Sequence, residues 1–191
     1  MKLERLAMPS SSSFESKSVH HVAYTTRDVE ATHEFYSHKL GMPLLRTENH
    51  RQGDGFFRHF FYGMGAGEAI AFFYVEDIGE EPDFKTDIST GLGLPPWANH
   101  IAFRLDSMEE LESMTKRMHE RGIEHIMQID HGWCTSIYTL DPNGIMVEFC
   151  VTTDAEMFSD QNEEEALRLL RLPSAEFPEE ERKETSIGKL V

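Results

Sequence analysis

HVAYTTRD, residues 21–28, and HIAFRLD, residues 100–106, are one pattern written twice in the chain. In each, a histidine opens an alternation of large apolar and smaller residues with strand period, and an aspartate closes it ahead of a helical pattern. After the first, Asp28 is placed to cap a helix over VEATHEFYSHKL (29–40), ended by Gly41. After the second, Ser107 is placed to cap MEELESMTKRMHERG (108–122). Three strand-like stretches follow each helix. They are PLLRTEN (43–49), GFFRHFFYG (55–63) and EAIAFFYVE (68–76), then IEHIMQID (123–130), CTSIYTL (134–140) and GIMVEFCVT (144–152). A second match in both order and type points to internal duplication. The boundaries read as a disordered polar tail at 1–17, module one at 18–76 and an acidic Gly/Pro-rich linker at 77–96. Module two spans 97–152, and an acidic extension with one short helix fills 153–191.

Laying the halves over each other puts His21 on His100. Matching AIAFFYVED to IMVEFCVTTD puts Phe72 on Glu148 and Tyr62 on Tyr138. Strand alternation assigns a face to each side chain. Val22, Tyr24, Ile101 and Phe103 must pack on their modules' helices, so His21 and His100 point to the opposite, open face. Val147 and Phe149 likewise turn Glu148 to that face. A buried carboxylate among apolar strand neighbours needs a cation or strong donors. Two imidazoles at duplicated positions and this carboxylate supply a metal site with coordination positions to spare, suited to Fe(II) and also to Mn(II), Zn(II) or Ni(II). The expected architecture is α+β, with two curved mixed sheets around a metal-binding cavity.

The chain has 191 residues and a formal net charge of −16. So acidic a surface repels nucleic-acid phosphates and anionic lipid, so neither is an expected partner. No apolar run reaches bilayer length, and MKLERLAMPSSSSFESKS lacks a secretory core. The two cysteines, Cys134 and Cys150, make no disulfide framework and read as free core thiols. A cytoplasmic location is expected.

HHVAYTTRDVEATHEFYSHKLGM (20–42), NHIAFRLDSMEEL (99–111) and SIYTLDPNGIMVEF (136–149) resemble the vicinal oxygen chelate superfamily. That superfamily includes glyoxalase I, extradiol dioxygenases, methylmalonyl-CoA epimerases, fosfomycin-resistance thiol transferases and bleomycin-binding proteins. The resemblance implies paired βαβββ modules, with ligand positions falling on His21, His100 and Glu148. Glyoxalase I and the epimerases usually carry a fourth ligand on the last strand of the first module. Phe72 at that place argues against both. Retention of three ligands argues against a simple drug-binding protein. The first choice is an extradiol-type dioxygenase acting on a small aromatic substrate with vicinal oxygens. The alternatives are a lyase or isomerase of the glyoxalase type, a thiol transferase, or a non-catalytic binding protein. Within this resemblance Tyr138 is the candidate donor to a metal-bound oxygen. His131 is the candidate acid–base residue, and His59 is set aside because alternation with Tyr62 is taken to put it on the helix side. Trp97, Trp133 and Tyr62 are the candidate substrate-binding residues. A homodimer is expected; the cup can form within one chain or by module exchange between two.

Overall fold

The computed structural model describes residues 18–156 and 163–173. The expected disordered tail at 1–17 and the end of the acidic extension lie outside the described residues. Module one runs β1 (His21–Thr26), α1 (Val29–His33) continuing as a π-helical turn (Glu34–Lys39), β2 (Leu44–Gln52), β3 (Gly55–Gly65) and β4 (Glu68–Glu76). Module two runs β5 (His100–Leu105), α2 (Met108–Glu120), β6 (Met127–Asp130), β7 (Cys134–Leu140) and β8 (Met146–Thr152). Two 3₁₀ turns, Thr90–Leu92 and Pro96–Ala98, occupy the connection, and α3 (Glu163–Leu170) follows the second module. The sheets are four-stranded, ordered β1-β4-β3-β2 and β5-β8-β7-β6. In both, the first strand pairs parallel to the last and the remaining pairs are antiparallel. Two mixed sheets in two βαβββ modules were the expectation, and the chain folds so; the sheets do not close into a barrel.

The local chemistry explains where the helices start. The Asp28 side chain accepts from Ala31 N at 2.8 Å, and Ser107 Oγ accepts from Glu110 N at 3.2 Å. Glu110 reaches back to Asp106 N at 2.9 Å, completing a reciprocal cap. The first helix then widens into a π turn, with Leu40 N donating to Phe35 O. That extra residue per turn buries Phe35 and Tyr36 side by side (6% and 0% exposed).

The modules are tied through the helix side. Tyr36 Oη donates to Asp141 Oδ2 at 3.0 Å, Asn143 Nδ2 donates to Thr32 Oγ1 at 3.2 Å, and Arg117 Nε donates to Lys39 O at 3.1 Å. Gly41, at φ +86°, is fitted to this seam: a Cβ there would run into the Arg117 guanidinium. One apolar core, including Tyr36, Phe72, Phe103 and Phe149, spans both modules.

Asp141 does more than the turn chemistry of DPNG suggests. The turn is present, with Gly144 N donating to Asp141 O at 3.0 Å. The buried carboxylate also accepts from Asn143 N, Ile145 N and Asn143 Nδ2 besides Tyr36. Asp141→Ala leaves these donors without their acceptor in a buried seam. Denaturant unfolding is expected to show a loss of about 2–4 kcal/mol, whereas a change under about 1 kcal/mol would mean that the seam rehydrates at little cost.

Candidate metal half-sites

The pairing register corrects the overlay of the two halves by one residue. His21 pairs with Ala69 and His100 with Met146. Two steps along, Ala23 pairs with Ala71 and Ala102 with Glu148. Ala71, not Phe72, is therefore the counterpart of Glu148. Phe61 pairs with Ala71 as Tyr138 pairs with Glu148, so Phe61, not Tyr62, is the counterpart of Tyr138. Because side chains alternate, a slip of one residue exchanges the two faces. Phe72 is fully buried against Tyr36 on the helix side. Tyr62 lies there too, fully buried, stacked on Tyr36 and 3.1 Å from His33 Nδ1. The assignment of Tyr62 to substrate binding is thereby overturned. His59 moves the other way: it lies on the open face with His21, Phe61 and Phe73. The missing fourth ligand survives the correction, since Ala71 offers no donor either.

In module two the expected residues converge. Glu148 is 5% exposed in the middle of β8. Its Oε2 stands 3.0 Å from His100 Nε2, and its Oε1 accepts from Tyr138 Oη at 3.0 Å. His131 Nε2 lies 2.8 Å from the same hydroxyl, so Tyr138 and His131 are joined in one hydrogen-bonded chain to the carboxylate. Burial, above all, raises the Tyr138 hydroxyl well beyond the ordinary phenol range and keeps its proton in place. His131 comes from the loop before β7, its ring 6.3 Å from that of Trp133.

His100 shows which of its nitrogens is free for a metal. Nδ1 lies 2.9 Å from the Trp97 carbonyl oxygen. A carbonyl only accepts, so Nδ1 carries the proton. In the neutral ring Nε2 then presents a bare lone pair to a carboxylate oxygen. Two lone pairs at 3.0 Å repel unless a cation, a proton or a metal ion, is shared between them. Two donors each about 2.1 Å from a metal and at right angles stand about 3.0 Å apart, so the pair fits a divalent ion. The orienting carbonyl is the usual outer partner of a metal-bound imidazole. Trp97 thus enters through its backbone, while its ring is 48% exposed.

His21 does not join this pair within the chain. Among the described residues no three His, Cys, Asp or Glu side chains cluster tightly enough to hold a metal. A cup within one chain and one shared between two chains were both open expectations; here the modules associate through their helix side, leaving His21, Ala23, His100 and Ala102 exposed on the open faces. His21 Nδ1 lies 2.8 Å from His20 Nδ1, which leaves its Nε2 available as well.

The open face of module one is aromatic. His59 stacks flat on Phe73 (3.7 Å between ring centres, 11° between planes) and tilts against Phe61 (4.1 Å). Burial, then the neighbouring His21, lowers His59 below the usual imidazole range and keeps it neutral. Its Nε2 is buried with no partner, a state that costs about 1–3 kcal/mol. The sequence reading missed this residue through the register error; its odd spacing from Tyr62 carried the signal. Both cysteines are free. Both lie on the Glu148 face of their strands, Cys134 fully buried as a core thiol and Cys150 half-buried, and burial pushes the Cys134 thiol up to about 11.

Two βαβββ modules, each opening on an outward-facing histidine, define a paired-module class of protein. The chain belongs to the glyoxalase/bleomycin resistance protein/dioxygenase superfamily, whose family profile matches residues 18–149. An uncharacterised Bacillus subtilis protein, YwkD, is 30% identical over 108 residues, 56% of this chain and 74% of YwkD. Among solved structures, a glyoxylase/bleomycin resistance protein/dioxygenase domain from Frankia sp. EAN1pec is similar with a TM-score of 0.54. It is 20% identical, covering 72% of this chain and 99% of that one. A mutant fosfomycin resistance protein, FosX, from Listeria monocytogenes, solved with Mn(II) and 1S,2S-dihydroxypropylphosphonic acid, has a TM-score of 0.52. It is 19% identical, covering 76% and 100% of the two chains. Both likenesses are of fold. The superfamily includes enzymes. Among the described residues no helix is long and apolar enough to cross a membrane.

Proposed function

We propose that the protein is a metal-dependent enzyme whose site is built from two copies of the chain. His100 and Glu148 come from one copy and His21 from the other. The observation that carries this reading is the His100–Glu148 pair: an imidazole nitrogen and a buried carboxylate oxygen stand 3.0 Å apart, the spacing of two donors on one divalent ion, with the other ring nitrogen held by Trp97 O. The outward-facing His21 supplies the third donor when the open face of module one meets that of module two. A two-fold dimer makes two such sites.

The reaction we assign first is ring cleavage of a small aromatic substrate bearing vicinal oxygens, by an extradiol-type dioxygenase. Two imidazoles and one carboxylate leave coordination positions open, and Ala71 adds no fourth donor. Fe(II) held by this set would supply oxygen chemistry and a chelating centre for two neighbouring hydroxyls. The protein's own groups do the rest. Trp97 O fixes the His100 ring. Tyr138, held by His131 and Glu148, presents a hydroxyl beside the carboxylate, where it can hydrogen-bond a substrate oxygen while His131 passes a proton through it. Phe57, Phe61 and Phe73 keep water from the opposing wall. Free thiols fit a reducing cytoplasm.

Elemental analysis of protein purified without added metal, followed by oxygen uptake with a catechol panel under Fe(II), tests the assignment. Iron and uptake are expected. Tyr138→Phe should keep its iron and lose about 10²–10⁴-fold in turnover. Nickel or zinc as purified, with no uptake on any catechol, moves the protein to the lyase, isomerase or thiol-transferase branch of the fold.

A further inference from the structure

We propose that His59 is a substrate-binding residue, its Nε2 hydrogen-bonding an oxygen substituent of a planar aromatic ligand that lies against Phe61. The inference rests on the two-copy metal site proposed above and names what the facing wall of that site recognises.

Three observations meet at this residue. Among the described residues, His59 Nε2 is the one buried side-chain nitrogen or oxygen without a hydrogen-bond partner. Its ring is packed as a phenylalanine would be, flat on Phe73 and close to Phe61, with Phe57 on the same strand face. A fourth phenylalanine would fill that space with no polar group to satisfy, so packing alone does not account for the imidazole. The His59 ring centre is also 6.2 Å from that of His21. A ligand whose vicinal oxygens sit at the metal donors reaches His59 with its next substituent.

The surroundings set the ligand chemistry. Aromatic walls favour a flat π face, offset or edge-on. The imidazole offers an N–H or a lone pair at Nε2, which suits a phenolic, carbonyl or carboxylate oxygen. A half-turn about Cβ–Cγ exchanges the Nε2 and Cε1 edges while preserving the ring plane and both aromatic contacts, so either edge can carry the nitrogen without unpacking the wall.

The experiment titrates the full-length, Mn(II)-loaded protein with 4-nitrocatechol and follows the chromophore's absorbance shift. Mn(II) content and the melting temperature are recorded alongside. His59→Phe is expected to keep both and to weaken binding at least about tenfold. His59→Gln, which restores a polar group, is expected to recover part of that loss, and it serves alone where the Phe variant does not fold. Binding by His59→Phe within about twofold of wild type overturns the role of His59 and leaves the metal site standing. So does loaded wild-type protein that ignores the probe. Wild-type protein that takes up no Mn(II) overturns the metal site and this inference together.

Discussion

Mixing His21→Ala chains with Glu148→Gln chains should restore metal binding that each variant lacks alone. In a two-fold dimer of the proposed kind, each site takes module one from one copy and module two from the other. A mixed dimer therefore has one site with both lesions and one with none. After subunit exchange the chains pair statistically, so half of the dimers are mixed. Metal should return to about a quarter of the wild-type content. The measurement is metal per chain by elemental analysis, before and after exchange. A site contained in a single chain gives no recovery at any mixing ratio. A His21→Ala protein that binds metal as wild type does removes His21 from the ligand set. The expectation follows from the exposure of the His21 face and from the seam that ties the modules by Tyr36, Asp141, Thr32 and Asn143 on the far side. That seam holds the two half-sites of one chain apart.

Glu148→Gln by itself should separate the metal's contribution from the fold's. In the metal-free protein the amide matches the carboxylate in size. Its oxygen can accept from Tyr138, and its nitrogen can donate to His100 Nε2 across the 3.0 Å now spanned by the carboxylate. Thermal unfolding without metal is expected within about 1 kcal/mol of wild type, or above it. Wild type should then gain about 2.7 kcal/mol when free metal stands at 100 times its dissociation constant, and the variant nothing. Affinity should fall by more than the roughly 10–100-fold typical of losing an outer-shell partner, because a donor itself is gone. A variant that unfolds early without metal, or that keeps the metal-induced rise, would show Glu148 to be a packing residue.

Much of this was legible in the chain. The doubled strand opening at His21 and His100, the caps at Asp28 and Ser107, and the order of the eight strands are local patterns, and local patterns survive folding. The faces of β1, β5 and β8 were read correctly because each alternates cleanly between large apolar and smaller or polar residues. β3 and β4 misled. In GFFRHFFYG and AIAFFYV both faces are apolar, so alternation loses contrast and a slip of one residue went unseen. That slip sent His59 to the wrong face and brought Tyr62 and Phe72 to positions held by Phe61 and Ala71. Nor could the chain text foresee that Asp141 would serve both its own turn and the hydroxyl of Tyr36, 105 residues away.

By itself, then, the amino-acid order determined the two modules, their sheet type and the side-chain chemistry of each half-site, since period and capping depend on near neighbours. Only the tertiary structure decided that Trp97 orients His100, that Tyr138 and His131 form one chain with Glu148, and that His21 stands apart from them. These depend on pairing register and on which faces of two separately specified modules stick together. Both are set by long-range packing, which leaves little trace in the spacing of residues along the chain.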